Sequence, residues 1–129
     1  MLDTNIIVYA KNRRSERVVN MLLQHKPRDI CISMITMAEL EYGVYKSSRP
    51  AANRLALITF LSGFQIVPFD ANAAREYGDI RTSLEKRGVV ISGNDMLIAA
   101  QARALGSILV TNNQREFERI EGLEVENWA

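Results

Sequence analysis

The sequence has 129 residues, about the length of one domain, and a formal net charge of +1, which by itself indicates no polyanionic partner. Hydrophobic residues make up 47% and charged residues 24%, and a chain of this kind can fold without disulfides or a structural metal. No apolar run approaches the roughly 20 residues of a membrane span, and the single cysteine, Cys31, cannot form an internal disulfide, so we expect a cytoplasmic protein with a reduced thiol.

Five short apolar runs predict the strands of a sheet. The first run ends at Asp3, and the others cover residues 30–32, 66–69, 108–110 and 123–125. Most of these runs show no alternation of polar and apolar residues, which is typical of strands that are buried on both faces.

Helix signals separate these runs. The first helix opens at Thr4 or Asn5, both of which are good N-cap residues. The later helices are predicted over residues 15–24, 34–45, 50–63, 70–86 and 96–105. In the helix that follows Pro50, the apolar face consists of Leu55, Ile58 and Leu61. Helices and strands therefore alternate without a repeat or a linker, which predicts one α/β domain over residues 1–129 with a mostly parallel sheet.

Four acidic residues lie where they could meet at one edge of this sheet. Asp3 ends the first strand, and Glu39 lies in a narrow polar sector of its helix that excludes Glu41. Asp95 stands in the first turn of a buried helix, and Glu116 follows the fourth strand. Because parallel strands all end on the same edge, where open α/β sheets bind ligands, these acids could line one pocket.

A cluster of this kind is costly unless something balances its charge. Two carboxylates about 5 Å apart repel each other by roughly 3 kcal/mol at an effective dielectric near 20. Protonation, basic neighbours or a bound metal could offset that repulsion. A site built only from oxygen ligands, without His or Cys, suits Mg²⁺ or Mn²⁺ rather than zinc, and the usual substrate of such a site is a phosphate ester.

Each acid also has an interpretation that requires no ligand. Asp3 could terminate a strand, and Asp95 could interact with the positive end of its helix. Glu39 could be a solvated residue on a helix edge, and Glu116 lies in a glutamate-rich C-terminal stretch.

Basic residues are concentrated in two segments, although the net charge is small. The first segment contains Lys11, Arg13, Arg14 and Arg17, and the second contains Lys46, Arg49 and Arg54. Such segments could attract a phosphate backbone, and they could equally be solvated helix faces.

Four stretches of the sequence together resemble the PIN-domain family, and more narrowly the VapC-type toxins of type II toxin–antitoxin modules. They are residues 1–5 (MLDTN), 37–43 (MAELEYG), 93–100 (GNDMLIAA) and 110–117 (VTNNQREF). Each stretch alone is a weak signal, and the four in this order and spacing are specific. The resemblance implies a three-layer α/β/α sandwich around a short parallel sheet, and Mg²⁺- or Mn²⁺-dependent endoribonuclease activity, in several relatives at tRNA anticodon loops.

The resemblance also implies roles for individual residues. Asp3 and Asp95 match the principal metal ligands, and Glu39 and Glu116 match the second and fourth acids of the catalytic set. The neighbours expected to orient Asp3 and the waters around the metal are Asn5, Thr111 and Asn113. Many PIN domains have an aspartate directly after the fourth strand, where this chain has Asn112 and Asn113, so a neutral amide replaces an anionic ligand at a second metal position.

The partners implied by the resemblance are an RNA substrate and a small VapB-type antitoxin. Toxins of this type usually form homodimers, and their complexes often bind operator DNA through the antitoxin. Three other functions stay open from the residues: a catalytically inactive PIN-fold binding module, a PIN nuclease acting on DNA or ribosomal RNA, and a phosphotransfer enzyme with Asp3 as nucleophile. The last usually has a second aspartate where this chain has Asn5.

Overall fold

Four short strands, all parallel, lie between the helices. The computed structural model describes residues 1–129, and its strands are β1 (Cys31–Ser33), β2 (Gln65–Val67), β3 (Leu109–Val110) and β4 (Val125–Glu126). β1 pairs with β2, and β3 pairs with β4. The strands are only two or three residues long.

Leu2 joins the two strand pairs into one sheet. It forms parallel bridges with Ile32 on one side and with Val110 on the other. The Leu2 amide donates to the Cys31 carbonyl (3.1 Å), and the Asp3 amide donates to the Val110 carbonyl (3.0 Å). The order across the sheet is therefore β2, β1, Leu2, β3 and β4, and Asp3 follows its central position.

Seven helices surround the sheet. They are α1 (Thr4–Lys11), α2 (Glu16–Leu23), α3 (Met34–Lys46), α4 (Pro50–Leu61), α5 (Ala71–Lys86), α6 (Gly93–Leu105) and α7 (Gln114–Phe117), and one turn of 3-10 helix covers Pro27–Asp29. Ser33, Asp70 and Ser92 cap α3, α5 and α6, and each accepts a hydrogen bond from a backbone amide in the first turn. None of these helices combines the length and the apolar character that crossing a membrane requires.

Two apolar cores, one on each face of the sheet, make three layers. One core combines Leu2, Ile32 and Val110 with side chains of α1, α2, α3 and α4. The other combines Leu109 with side chains of α5, α6 and α7. Leu109 and Val110 belong to different cores because successive residues of a strand point to opposite faces. The predicted α/β/α sandwich with a short parallel sheet is thus confirmed.

Two local predictions about the helices were wrong. The N-cap of α1 is Asp3, whose Oδ1 accepts from the Ile6 amide (3.0 Å), and not Thr4 or Asn5. In α4, Leu57 and Leu61 face the core, while Leu55 and Ile58 are 67% and 60% exposed. This helix is apolar on more than one side, so periodicity alone does not select the buried face.

Gln101 ties α6 to the end of β2. Its side chain is buried, and its Nε2 donates to the carbonyls of Val67 (2.7 Å) and Pro68 (3.0 Å). We expect Gln101→Leu to lower the free energy of unfolding by about 1 kcal/mol, because two partly buried carbonyls lose their donor, while the removal of the buried Oε1, which has no hydrogen-bond partner, offsets part of that loss. Urea denaturation measures this loss, with Gln24→Leu at the exposed end of α2 as the control. Equal midpoints for the two variants would contradict the assignment.

Candidate active site

Asp3 is the only buried acid, with 6% of its surface exposed. Its position follows from the local fold, since it comes directly after the central strand position and caps α1. One carboxylate oxygen, Oδ1, accepts from the Ile6 amide (3.0 Å), and the other, Oδ2, accepts from the Thr111 hydroxyl. Both bonds fix the orientation of the carboxylate at the carboxyl edge of the sheet.

The environment of Asp3 disfavours its charge. Burial raises the pKa of Asp3 from its ordinary 3.8 to about 6. The hydrogen bonds from Thr111 and Ile6 stabilise the carboxylate and lower the pKa, while the carboxylates of Asp95 and Glu39 raise it. Asp3 therefore lies in a buried, electronegative position.

Asp95 reaches the same edge from α6. It is the third residue of that helix, and its amide donates to the Ser92 hydroxyl at the N-cap (3.2 Å). Burial raises the pKa of Asp95, a hydrogen bond of its carboxylate with the Ser92 side chain lowers it, and the carboxylates of Glu116 and Glu39 raise it again. Each of the four predicted acids is therefore within electrostatic range of at least one other.

Glu39 and Glu116 lie at the margins of this acidic edge. Both are partly buried. Glu39 Oε1 accepts from the Thr4 hydroxyl (2.7 Å), and Glu116 Oε2 accepts from the Asn113 side-chain amide (2.7 Å). Each glutamate is thus held by a neutral donor from a neighbouring segment.

None of these four acids has a basic partner. The ion pairs of the protein join other residues, namely Arg54 to Glu41, Arg81 to Glu85, and Arg103 to Glu76 and Asp79. No three acidic, histidine or cysteine side chains are arranged so that they could enclose a metal ion. The four carboxylates share one edge, but their oxygens do not converge on one point, as expected for like charges that repel. The chemistry of this donor set, oxygen only and without a balancing cation, fits a hard divalent ion.

The three residues predicted to orient Asp3 differ in their contacts with it. Thr111 contacts Asp3, and the Asn113 backbone amide donates to the Thr111 hydroxyl (2.9 Å). Asn5 is exposed and does not contact the Asp3 carboxylate. The sequence reasoning missed Thr4, which holds Glu39; a hydroxyl directly after the buried aspartate was the available signal.

The fold and this edge define a class of α/β/α proteins with a carboxylate cluster at the carboxyl ends of parallel strands. A family model described as PIN domain matches residues 1–123, so the chain belongs to the PIN domain family. It is 48% identical over 129 residues to Ribonuclease VapC2 of Rickettsia felis, an alignment that covers 99% of this chain and 96% of that protein.

Two further comparisons extend this result. The chain is 39% identical to tRNA(fMet)-specific endonuclease VapC of Shigella flexneri, over 100% of this chain and 97% of that protein. A chain in the crystal structure of VapBC2 from Rickettsia felis, bound to a DNA fragment from their promoter, superposes with a TM-score of 0.92. That match has 44% identity and covers 100% of this chain and 98% of that one.

Proposed function

We propose that this protein is the toxin of a type II toxin–antitoxin module, and that it is a metal-dependent endoribonuclease that hydrolyses RNA phosphodiester bonds. The observation that carries the proposal is Asp3, a buried carboxylate beside other carboxylates and without a basic partner. The names of the relatives support it, since they are ribonucleases, and one is specific for tRNA(fMet). We take tRNA as the substrate and residues 1–129 as one domain.

Ribonucleases of the PIN family generally depend on a divalent metal. In this chain Asp3 and Asp95 would hold the ion, and the oxygen-only donor set favours Mg²⁺ or Mn²⁺. A bound ion would supply Lewis-acid polarisation of the phosphoryl oxygen and neutralise charge in the transition state.

Other side chains of the protein orient the carboxylates and the attacking water. Thr111 keeps the Asp3 carboxylate oriented through its hydroxyl. Glu39 and Glu116 both lie within electrostatic range of Asp95, and a carboxylate so placed can position the attacking water and accept its proton. Thr4 and Asn113 restrict the motion of these glutamates by hydrogen bonds. Preorganisation of this kind lowers the reorganisation needed when RNA binds.

The partner is a VapB-type antitoxin. The solved relative from Rickettsia felis is a VapBC2 complex on promoter DNA, which supports operator binding through the antitoxin. The exposed apolar side chains of α3 and α4 support protein contacts, including a homodimer, because exposed patches of this kind mark interaction sites. These side chains are Tyr42, Tyr45, Leu55 and Ile58. We place the protein in the cytoplasm.

The test is to incubate the purified protein with total bacterial RNA in Mg²⁺, in Mn²⁺ or in EDTA, and to sequence the new RNA ends. We expect discrete new ends in tRNA with either metal and none in EDTA, and addition of the antitoxin should suppress them. A preparation that binds RNA without producing ends would favour an inactive binding module. Ends in ribosomal RNA alone would move the substrate away from tRNA.

The pair Glu39 and Glu41 offers a matched comparison within one helix. Glu39 faces Thr4 and the acidic edge, whereas Glu41 forms a surface ion pair with Arg54 (2.7 Å). We expect Glu39→Gln to lower kcat/KM about ten- to hundredfold, the range for residues that support a metal site. Glu41→Gln should leave the rate unchanged. Equal rates for the two variants in single-turnover cleavage would remove Glu39 from the site.

A further inference from the structure

A groove leads away from the acidic edge between α1, α3 and α4. Its volume is about 560 Å³, and Thr4 and Glu39 belong to its lining. The Thr4 hydroxyl donates a hydrogen bond to Glu39, and Glu39 is one of the four acids at the edge. The groove is therefore continuous with the candidate active site. An RNA strand that is cleaved at this site extends away from it along the protein surface. The groove is one route for that strand, because α1, which is capped by Asp3, lines it.

Three basic side chains line the groove beyond Glu39. They are Lys11 at the end of α1, Arg14 in the connection that follows it, and Lys46 at the end of α3. None of them belongs to an ion pair of the protein, in contrast to Arg54, whose guanidinium is neutralised by Glu41. Glu39 is the one acid in the lining, so the part of the groove away from the site is positively charged.

Amides and apolar groups also line the groove. Asn12 and Asn53 contribute side-chain amides. Val8 and Leu40 contribute apolar surface. Cations suit backbone phosphates, amides can pair with base edges, and apolar surface can cover the face of a base.

We infer that this groove binds the single-stranded RNA segment next to the scissile phosphate. Lys11, Arg14 and Lys46 contact its backbone phosphates, and Asn12 and Asn53 contact its bases. The two basic segments of the sequence, separated by about thirty residues, thereby contribute to one surface. This inference rests on the proposed ribonuclease function, for which it supplies the substrate-binding residues.

The test measures binding of a fluorescein-labelled hairpin RNA to the native protein and to Lys11→Gln, Arg14→Gln and Lys46→Gln, in EDTA, over a range of salt concentrations. Each substitution should weaken binding roughly fivefold and reduce the slope of log affinity against log salt by about 0.7 to 1. Asn53→Ala should weaken binding of some sequences more than others and leave the slope unchanged. With Mg²⁺ present, the three charge variants should raise KM and leave kcat nearly the same.

Lys86→Gln is the matched control, because Lys86 is exposed at the end of α5, on the opposite face of the sheet. It should bind RNA like the native protein. Groove variants with native RNA affinity and native salt slope would overturn the inference while leaving the proposed function intact, provided that they still cleave RNA. Variants that lose affinity for the antitoxin alone would assign the groove to a protein partner. A native protein that neither binds nor cleaves RNA would overturn both proposals.

Discussion

Asp3→Asn is expected to abolish RNA cleavage, with a loss of at least about a thousandfold in kcat/KM. Stabilisation of transition-state charge by a metal is worth several kcal/mol, and each 1.36 kcal/mol corresponds to a factor of about ten. The neutral amide of asparagine is a much weaker ligand for a hard divalent ion than a carboxylate. Single-turnover cleavage of tRNA in Mg²⁺ measures the loss, and a variant that retains a tenth of the native rate would contradict it.

The same substitution should not harm the fold, which separates a chemical defect from unfolding. The side-chain carbonyl oxygen of the introduced asparagine replaces Oδ1 as the acceptor for the Ile6 amide, and its amide group can donate to the Thr111 hydroxyl. A buried charge without a basic partner is removed at the same time. We therefore expect the metal-free variant to be more stable than the native protein at about pH 7.5. A lower midpoint in urea would show that the change damages the structure.

The free energy of unfolding is also expected to depend strongly on pH. Asp3 has a pKa of about 6 in the folded protein and an ordinary value of 3.8, so the folded state binds the proton more tightly than the unfolded chain does. The resulting stabilisation, about 3 kcal/mol, is fully present below pH 3.8 and is lost as the pH rises through 6. Since a metal ion competes with this proton, metal affinity should fall as the pH drops below 6.

The difference in unfolding free energy between Asp3→Asn and the native protein isolates this contribution. In EDTA we expect the variant to be more stable by up to about 3 kcal/mol at about pH 7.5, and the difference to approach zero near pH 4. Titrating groups remote from Asp3 are common to both proteins and cancel, so the difference reports Asp3 together with its coupling to Asp95 and Glu39. Urea denaturation at several pH values provides the measurement. A difference that stays constant across this pH range would mean that Asp3 does not titrate in it.

The role of Asp3 at the start of α1 explains why this position can hold a charge at all. The positive end of the helix and the Ile6 amide stabilise a carboxylate there. Desolvation outweighs them, which is why the pKa of Asp3 is raised and not lowered. Without metal, the charged Asp3 carboxylate therefore lowers the stability of the folded protein. This loss of stability occurs at the position where the proposed catalysis needs a negative charge.

Local features of the fold could be predicted from the sequence, because short-range rules determine them. Ser33, Asp70 and Ser92 cap helices through side-chain hydrogen bonds that span two or three residues. The exposure of Leu55 and Ile58 depends on which neighbours cover α4, and no local pattern contains that information.

In the candidate site, too, some features could be predicted from the sequence and others could not. Parallel topology predicted that Asp3 and Asp95 would approach one edge, since strand ends converge whatever the intervening sequence. The bond from Thr4 to Glu39 could not be predicted, because it joins residues on different helices whose relative rotation is set by the core. The family resemblance implied that Asn5 orients Asp3, but Asn5 lies in the first turn of α1 and is exposed.

The carboxylates at this edge are expected to bind a divalent cation. Isothermal titration of Mn²⁺ into the metal-free protein near neutral pH tests this binding most directly, with Asp3→Asn and Asp95→Asn as comparisons. We expect saturable binding to the native protein and loss of that binding in both variants. Native protein that shows no binding, or variants that bind Mn²⁺ as the native protein does, would contradict this expectation.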